Sequence, residues 1–162
     1  MRLKMREILY RGKPKNKEHS YFFSEIWKEH YEKGFVYGSL IVYKDRCFIA
    51  VSALCNIEHC VNNGLVSMIE VIPETVGQFT GLTDKNGTKI FEGDIIKHFN
   101  HFDKPDEYAI YKVEFDEKIC KFSGRLHKQW SAQLSKDLEK RYEVIGNIHD
   151  NPELFKGGVD NG

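Results

Sequence analysis

A chain of 162 residues with 41% hydrophobic and 30% charged side chains has the composition of a globular protein of one domain or two small ones, not of a disordered or collagen-like chain. No apolar run approaches the roughly 20 residues that cross a bilayer, and the start from Met1 to Arg6 leads straight into charge and lacks the apolar stretch of a signal peptide. The expectation is a cytoplasmic protein with no membrane partner. Formal net charge is zero, which weighs against a protein that coats nucleic acid by charge alone.

The eleven Phe, eight Tyr and two Trp favour strands, where flat side chains pack on a pleated surface. Residues 1 to 17 concentrate Arg2, Lys4, Arg6, Arg11, Lys13, Lys15 and Lys17 against the single acid Glu7. Such a segment is either a solvated edge strand or a contact for phosphate. A first short strand is expected from Arg6 to Arg11. Ser24 to Gly34 reads as a helix, with Ser24 as cap, Ile26, Trp27, His30 and Tyr31 on one face, and Gly34 as stop. Phe35 to Tyr43 and Cys47 to Ala53 are β-branched and aromatic runs around Lys44, Asp45 and Arg46, a hairpin pattern. After Asn62, Asn63 and Gly64, a third strand is expected from Leu65 to Ile72, ended by Pro73.

The second half changes character. Asn86 and Gly87 lie between two short strands and predict a type I′ hairpin turn. Glu92, Gly93 and Asp94 turn the chain into Ile95 to Phe99. Ala109, Tyr111, Val113 and Phe115 recur with the period of a half-buried strand, and Ile119 to Ser123 follows. From Leu126 to Leu138 the apolar residues Leu126, Trp130, Leu134 and Leu138 recur every four, which fits either a helix or an irregular crossover. Tyr142 to Ile148 closes as a strand. Asn151, Pro152 and Glu153 then open a short helix. The count of short strands suits an SH3-like or OB-like small barrel better than a sandwich.

Catalytic signatures are missing: the chain has no P-loop, no dinucleotide fingerprint, no nucleophile elbow and no zincin motif. The acids Glu74, Asp84, Glu92 and Asp94 cluster in sequence, yet carboxylates in turns are ordinarily caps. Cys55, His59 and Cys60 are too few for zinc, which takes four ligands. His98 and His101, with Asp103 or His149, form a second weak grouping. The four cysteines, Cys47, Cys55, Cys60 and Cys120, read as buried free thiols. No enzyme activity, cofactor or metal is expected.

Three segments carry a family resemblance. They are MREILYRG from Met5 to Gly12 with FVYGSLI from Phe35 to Ile41, IPETVGQFTGLTDKNGTKIFEGDIIK from Ile72 to Lys97, and YEVIGNIHDNPEL from Tyr142 to Leu154. In order and spacing they resemble the YopX family of phage and prophage proteins, nearly end to end. The resemblance implies a β-rich protein of Gram-positive bacteria and their phages, with an SH3-like barrel in its second half. It implies no activity and brings no catalytic residues. Read physically, Gly77, Gly81, Gly87 and Gly93 sit where turns or bulges need backbone freedom, Asp84 and Asn86 are turn formers, and Asp94 caps amides.

The resulting expectation is a mainly β protein. Residues 1–75 form a small sheet with one helix, 76–155 an SH3-like barrel and 156–162 a flexible tail. The expected function is a non-catalytic protein-interaction or self-assembly module, binding a host or phage protein or a second copy in the bacterial cytoplasm. The alternative is nucleic-acid binding, with Arg6, Arg11, Lys13 and Lys15 on phosphate and Tyr37, Phe79 and Phe91 stacking on bases.

Overall fold

The computed structural model describes residues 7–16, 31–32, 34–51, 67–99, 107–127 and 130–156. Two compact units divide the chain between Gln78 and Phe79, inside one strand rather than in a linker; the sequence had placed the change of character at residue 75. The architecture is mainly β, and among the described residues every strand pairing is antiparallel.

In the first unit, strands β1 (Tyr10–Gly12), β2 (Tyr31–Glu32), β3 (Phe35–Tyr43), β4 (Arg46–Val51) and β5 (Ser67–Val71) build one sheet. Its order is β5-β4-β3-β1, with β2 alongside β3. The expected hairpin of β3 and β4 is present, with Tyr43 opposite Arg46. The first strand is shorter and later than expected, because its pairing with β3 starts only at Tyr10. Residues 24–30 of the expected helix lie outside the described residues. Its last turn does not form: Tyr31 and Glu32 pair with Val36 and Phe35, and Gly34, at φ 80°, turns the chain between two strands rather than ending a helix. One face of this sheet buries Val36, Ile49, Val51 and Val71, with Leu40, Cys47 and Ile69 against them. Past β5 a 3-10 turn over Pro73–Thr75 breaks the strand where Pro73 was expected to do so.

From Phe79 on, in the second unit, β6 (Gly77–Thr83) reaches β7 (Lys89–Phe91) through a bulge between Phe79 and Thr83, where Gly81 takes φ 88°. A five-stranded sheet follows from β8 (Asp94–Phe99), β9 (Tyr108–Asp116), β10 (Lys121–His127), β11 (Trp130–Gln133) and β12 (Tyr142–Asn147), in the order β11-β10-β9-β8-β12. Its core is Ile90, Ile96, Val113 and Tyr142, with Leu82, Tyr111, Leu134, Leu138 and Val144 packed around them. The recurrence from Leu126 to Leu138 is not an α-helix. It is the sum of the β10–β11 hairpin and a 3-10 turn over Lys136–Arg141, which Ser135 caps by accepting a 3.3 Å bond from the Asp137 amide. Strand pairing with β10 decides here, and Leu134 and Leu138 still reach the core. Phe115, expected on the inner face with Tyr111 and Val113, is 43% exposed, its ring 5.3 Å from that of its cross-strand partner Phe122. The short helix α1 (Glu153–Lys156) follows Asn151, whose carbonyl accepts from the Leu154 amide.

Candidate functional site

The long run from Ile72 to Lys97 was the sequence's strongest signal, and its polar residues prove to be staples. Asp84 is 5% exposed. Its Oδ1 accepts from the amides of Asn86 (2.8 Å) and Thr88 (2.9 Å), and its Oδ2 accepts from the Val144 amide at 3.0 Å. One carboxylate thus shapes the β6–β7 turn and ties it to β12. The turn is not type I′. Among its central residues only Gly87 has positive φ, at 82°, and the Gly87 amide donates to the Asp84 carbonyl. This is a type I turn closed by a left-handed glycine, the three-residue loop with a bulge. Asn86 therefore needs no special backbone; the Asp84 side chain replaces the primed turn. Asp94, 1% exposed, repeats the device on a smaller scale, its Oδ2 accepting from the Phe91 amide at 2.7 Å across the Glu92–Gly93 turn. Gly93, at φ 83°, donates its amide to the Val113 carbonyl. Gly77 sits in regular strand pairing opposite Arg11 and serves neither a turn nor a bulge.

Three of the residues expected to meet nucleic acid, Arg11, Phe79 and Phe91, are buried. Arg6 lies outside the described residues. Arg11 is 6% exposed, its guanidinium 4.5 Å from the centre of the Phe35 ring, and Lys13 approaches the same ring at 5.2 Å. Tyr37 is half-buried, paired across from Arg11. Phe79 and Phe91 are core residues whose rings meet at 5.5 Å, so neither can stack on a base. Lys15 is exposed, but its Nζ donates to Glu70 Oε1 at 2.8 Å. The apolar character that suggested stacking is spent on packing.

Of the weak metal groupings, Cys55, His59, Cys60, His101 and Asp103 lie outside the described residues. Among the described residues no three His, Cys, Asp or Glu side chains converge as metal ligands. His98 points into the second unit, its ring 5.3 Å from Tyr142 and 5.9 Å from Tyr111, with Nε2 buried and unbonded. Burial, and then the charge of Arg141, push its pKa below the ordinary histidine value. Of the clustered acids, Asp84 and Asp94 are the staples above, and Glu92 Oε1 accepts a long 3.4 Å bond from the Phe115 amide. The two described cysteines differ from each other. Cys47 packs at the first core, whereas Cys120 is exposed in the β9–β10 turn at φ 51°. The expectation of buried thiols therefore fails at Cys120, where the turn rather than the core holds the residue.

A family model described as YopX protein matches residues 10–156. The chain belongs to the YopX family. The structure is also similar to protein EF1440 from Enterococcus faecalis, at 20% identity and a TM-score of 0.50, covering 93% of this chain and 99% of that one. At that identity the likeness concerns the fold alone. No curated protein matches the chain. Among the described residues no helix is long and apolar enough to cross a membrane.

What sequence reasoning missed on this YopX-family chain is an outer surface. Cross-strand partners share a sheet face, so Ile41 with Phe48, Tyr43 with Arg46 and Ala50 with Met68 lie on one side of β3, β4 and β5. That side is opposite the buried Ile49 and Val71. Ile41 is 39%, Tyr43 60% and Met68 56% exposed. Alternation alone could not reveal them, because these strands are apolar on both faces. Beside them Arg46 Nη2 donates to Glu70 Oε2 at 2.6 Å while its guanidinium lies 4.8 Å from the Phe48 ring. Arg46 and then Lys15 hold the Glu70 carboxyl down to about 2.

Proposed function

We propose that this phage-type protein of the YopX family is a non-catalytic interaction module that binds protein through the outer face of β3, β4 and β5. The observation that carries this reading is the exposure of Ile41 and Tyr43 on β3 and of Met68 on β5, on one side of the sheet with Phe48 and Ala50 of β4 between them. Single exposed apolar side chains are ordinary, but several on one side of one sheet are what an interaction surface offers. The Arg46–Glu70 pair at its margin supplies the polar rim such surfaces carry. A second copy is the first partner to test and a host or phage protein the next. We read the five strands of the second unit's sheet as a small SH3-like barrel, an architecture able to present a binding face.

Sedimentation velocity over a concentration series tests the reading. Concentration-dependent association that Met68→Lys and Tyr43→Ser abolish, without lowering the melting temperature, supports self-assembly. A monomer at every concentration moves the search to a partner captured by the wild type and lost by Met68→Lys. A monomer with no such partner sinks the reading. Nucleic-acid contact through Arg11, Phe79 and Phe91 is not carried forward, since all three are buried.

A further inference from the structure

We propose that the second unit carries a binding site for single-stranded nucleic acid on its own sheet, where Phe99 and Tyr108 stand side by side across β8 and β9 and each carries a lysine. This inference rests on residues remote in sequence from the β3–β5 face and stands or falls independently of it.

Phe99 and Tyr108 are cross-strand partners, their rings 6.2 Å apart and edge to face. Lys97, two residues before Phe99, shares that side of the sheet and places its Nζ 4.4 Å from the centre of the Tyr108 ring. Lys85 reaches in from the β6–β7 turn, its Nζ 4.6 Å from the Phe99 ring centre and 3.0 Å from Glu143 Oε2. The opposite side of β8 holds Ile96 and His98 against the core, so the aromatic pair is not needed to fill it. Both rings are half-buried, held in place yet open on part of their surface. Among the described residues no carboxylate pairs with Lys97; its ammonium has the Tyr108 ring alone.

That combination selects the ligand. Adjacent aromatic rings on a sheet, with ammonium groups beside them, are what successive bases and their phosphates require. A purely apolar partner would cover Lys97 with only its cross-strand neighbour Glu143 at hand, which already pairs with Lys85, whereas a phosphate supplies a counter-ion of its own. A single strand offers both groups at once, because its bases are free to leave one another and stack on protein. On binding, the lysines move from the ring faces to phosphate. The contacts given up are weak cation–π contacts at a wet surface, and those gained are base stacking and a charge pair. Glu143 pairs with Lys85 at 3.0 Å and makes no such pair with Lys97, so Lys97 is the main phosphate group. The face reads no sequence: it offers flat rings and charge, not a pattern of donors and acceptors aimed at base edges.

The test is fluorescence polarisation of the full chain with labelled oligothymidylate, oligouridylate and a DNA duplex of matched length, across a salt series. Binding to the single strands that weakens with salt, and weaker binding of the duplex, are expected. Phe99→Ala with Tyr108→Ala should reduce affinity about tenfold or more. Phe99→Tyr and Tyr108→Phe, which keep the rings, should bind as the wild type does. Lys97→Ala should lower the salt slope by about 0.7. Should the double alanine variant fail to fold, Lys97→Glu takes its place, with the same loss expected. Flat titrations at low salt overturn the proposal, as does duplex binding equal to single-strand binding. Undiminished binding by a folded double variant or by Lys97→Glu also overturns it, by placing the contact elsewhere.

Discussion

In the first unit the charged groups that join strands stand at the surface: Glu70 of β5 gathers Arg46 of β4 and Lys15 of the segment beside it. The second unit has surface pairs too, such as Lys85–Glu143, but it adds two carboxylates inside, Asp84 and Asp94, which accept backbone amides while 5% and 1% exposed. A surface pair can be lost to water with little consequence, since water solvates both partners. A buried carboxylate cannot, because its amides have nowhere else to bond. The family run thus lies where side chains substitute for secondary structure, and the β3–β5 sheet, held by its own ladders and core, is free to present apolar groups outward.

The largest expected effect follows from removing the deeper staple. Asp84→Ala leaves the amides of Asn86, Thr88 and Val144 without their acceptor and should cost about 4 kcal/mol, as bonds to a charged group are each worth roughly 1.5–3 and do not add fully. Asp84→Asn keeps one oxygen and should lose about half as much. Urea unfolding measures both. A loss no greater than that of Glu70→Ala would erase the distinction between inner and surface charge.

Gly87→Val comes next. A Cβ at Gly87 meets nothing within 4 Å, so the cost is that of φ 82° alone. About 2 kcal/mol is expected for a β-branched residue, and under about 1 for Gly87→Asn, which tolerates the left-handed region. Equal melting temperatures for the two variants would show that the bulged turn can rearrange, and that Asp84 alone fixes the hairpin.

Acid should act on the second unit through His98. Its folded pKa lies below the unfolded value of about 6.5. The unfolded chain therefore takes the proton first, stability is whole above about 6.5, and it declines as pH falls below that, by at most about 1.4 kcal/mol per pH unit. His98→Phe should flatten this limb of the unfolding free energy. A slope unchanged in that variant would assign the acid response to another group.

These contrasts show which features were legible beforehand. Periodicity and turn residues placed β3, β8, β9 and β12, because in those strands local pattern and tertiary pairing agree. They misread Tyr31 and Glu32, where the partner strand outweighs helix propensity, and the stretch from Leu126 to Leu138, where a hairpin and a 3-10 turn mimic a four-residue period. Asp84 was legible as a turn former, yet its bond to Val144 joins residues 60 apart in the chain, which no local window contains. The buried Arg11, Phe79 and Phe91 failed as contact residues for the converse reason. Basic and aromatic side chains are enriched both at binding faces and in cores, and only the sheet register separates the two. The same register brings Phe99 beside Tyr108.

The smallest effect, and the finest discriminator, lies at Glu70. Its carboxyl is held to about 2, first by the Arg46 hydrogen bond and then by that of Lys15. A depressed carboxylate contributes stability that is whole above its unfolded value of about 4.3 and lost as pH falls toward 2. This window lies well below that of His98, so the two units should answer acid in separate ranges. Carboxyl-carbon NMR of Glu70 resolves the order of its partners. Arg46→Ala should raise the midpoint more than Lys15→Ala, and high salt should raise it in the wild type, because the pairs face solvent. At neutral pH neither variant should shift the melting temperature appreciably. A large shift would mean that the Arg46 guanidinium, lying against Phe48, supports the sheet by packing as well as by charge, and the line drawn between surface and inner staples would move with it.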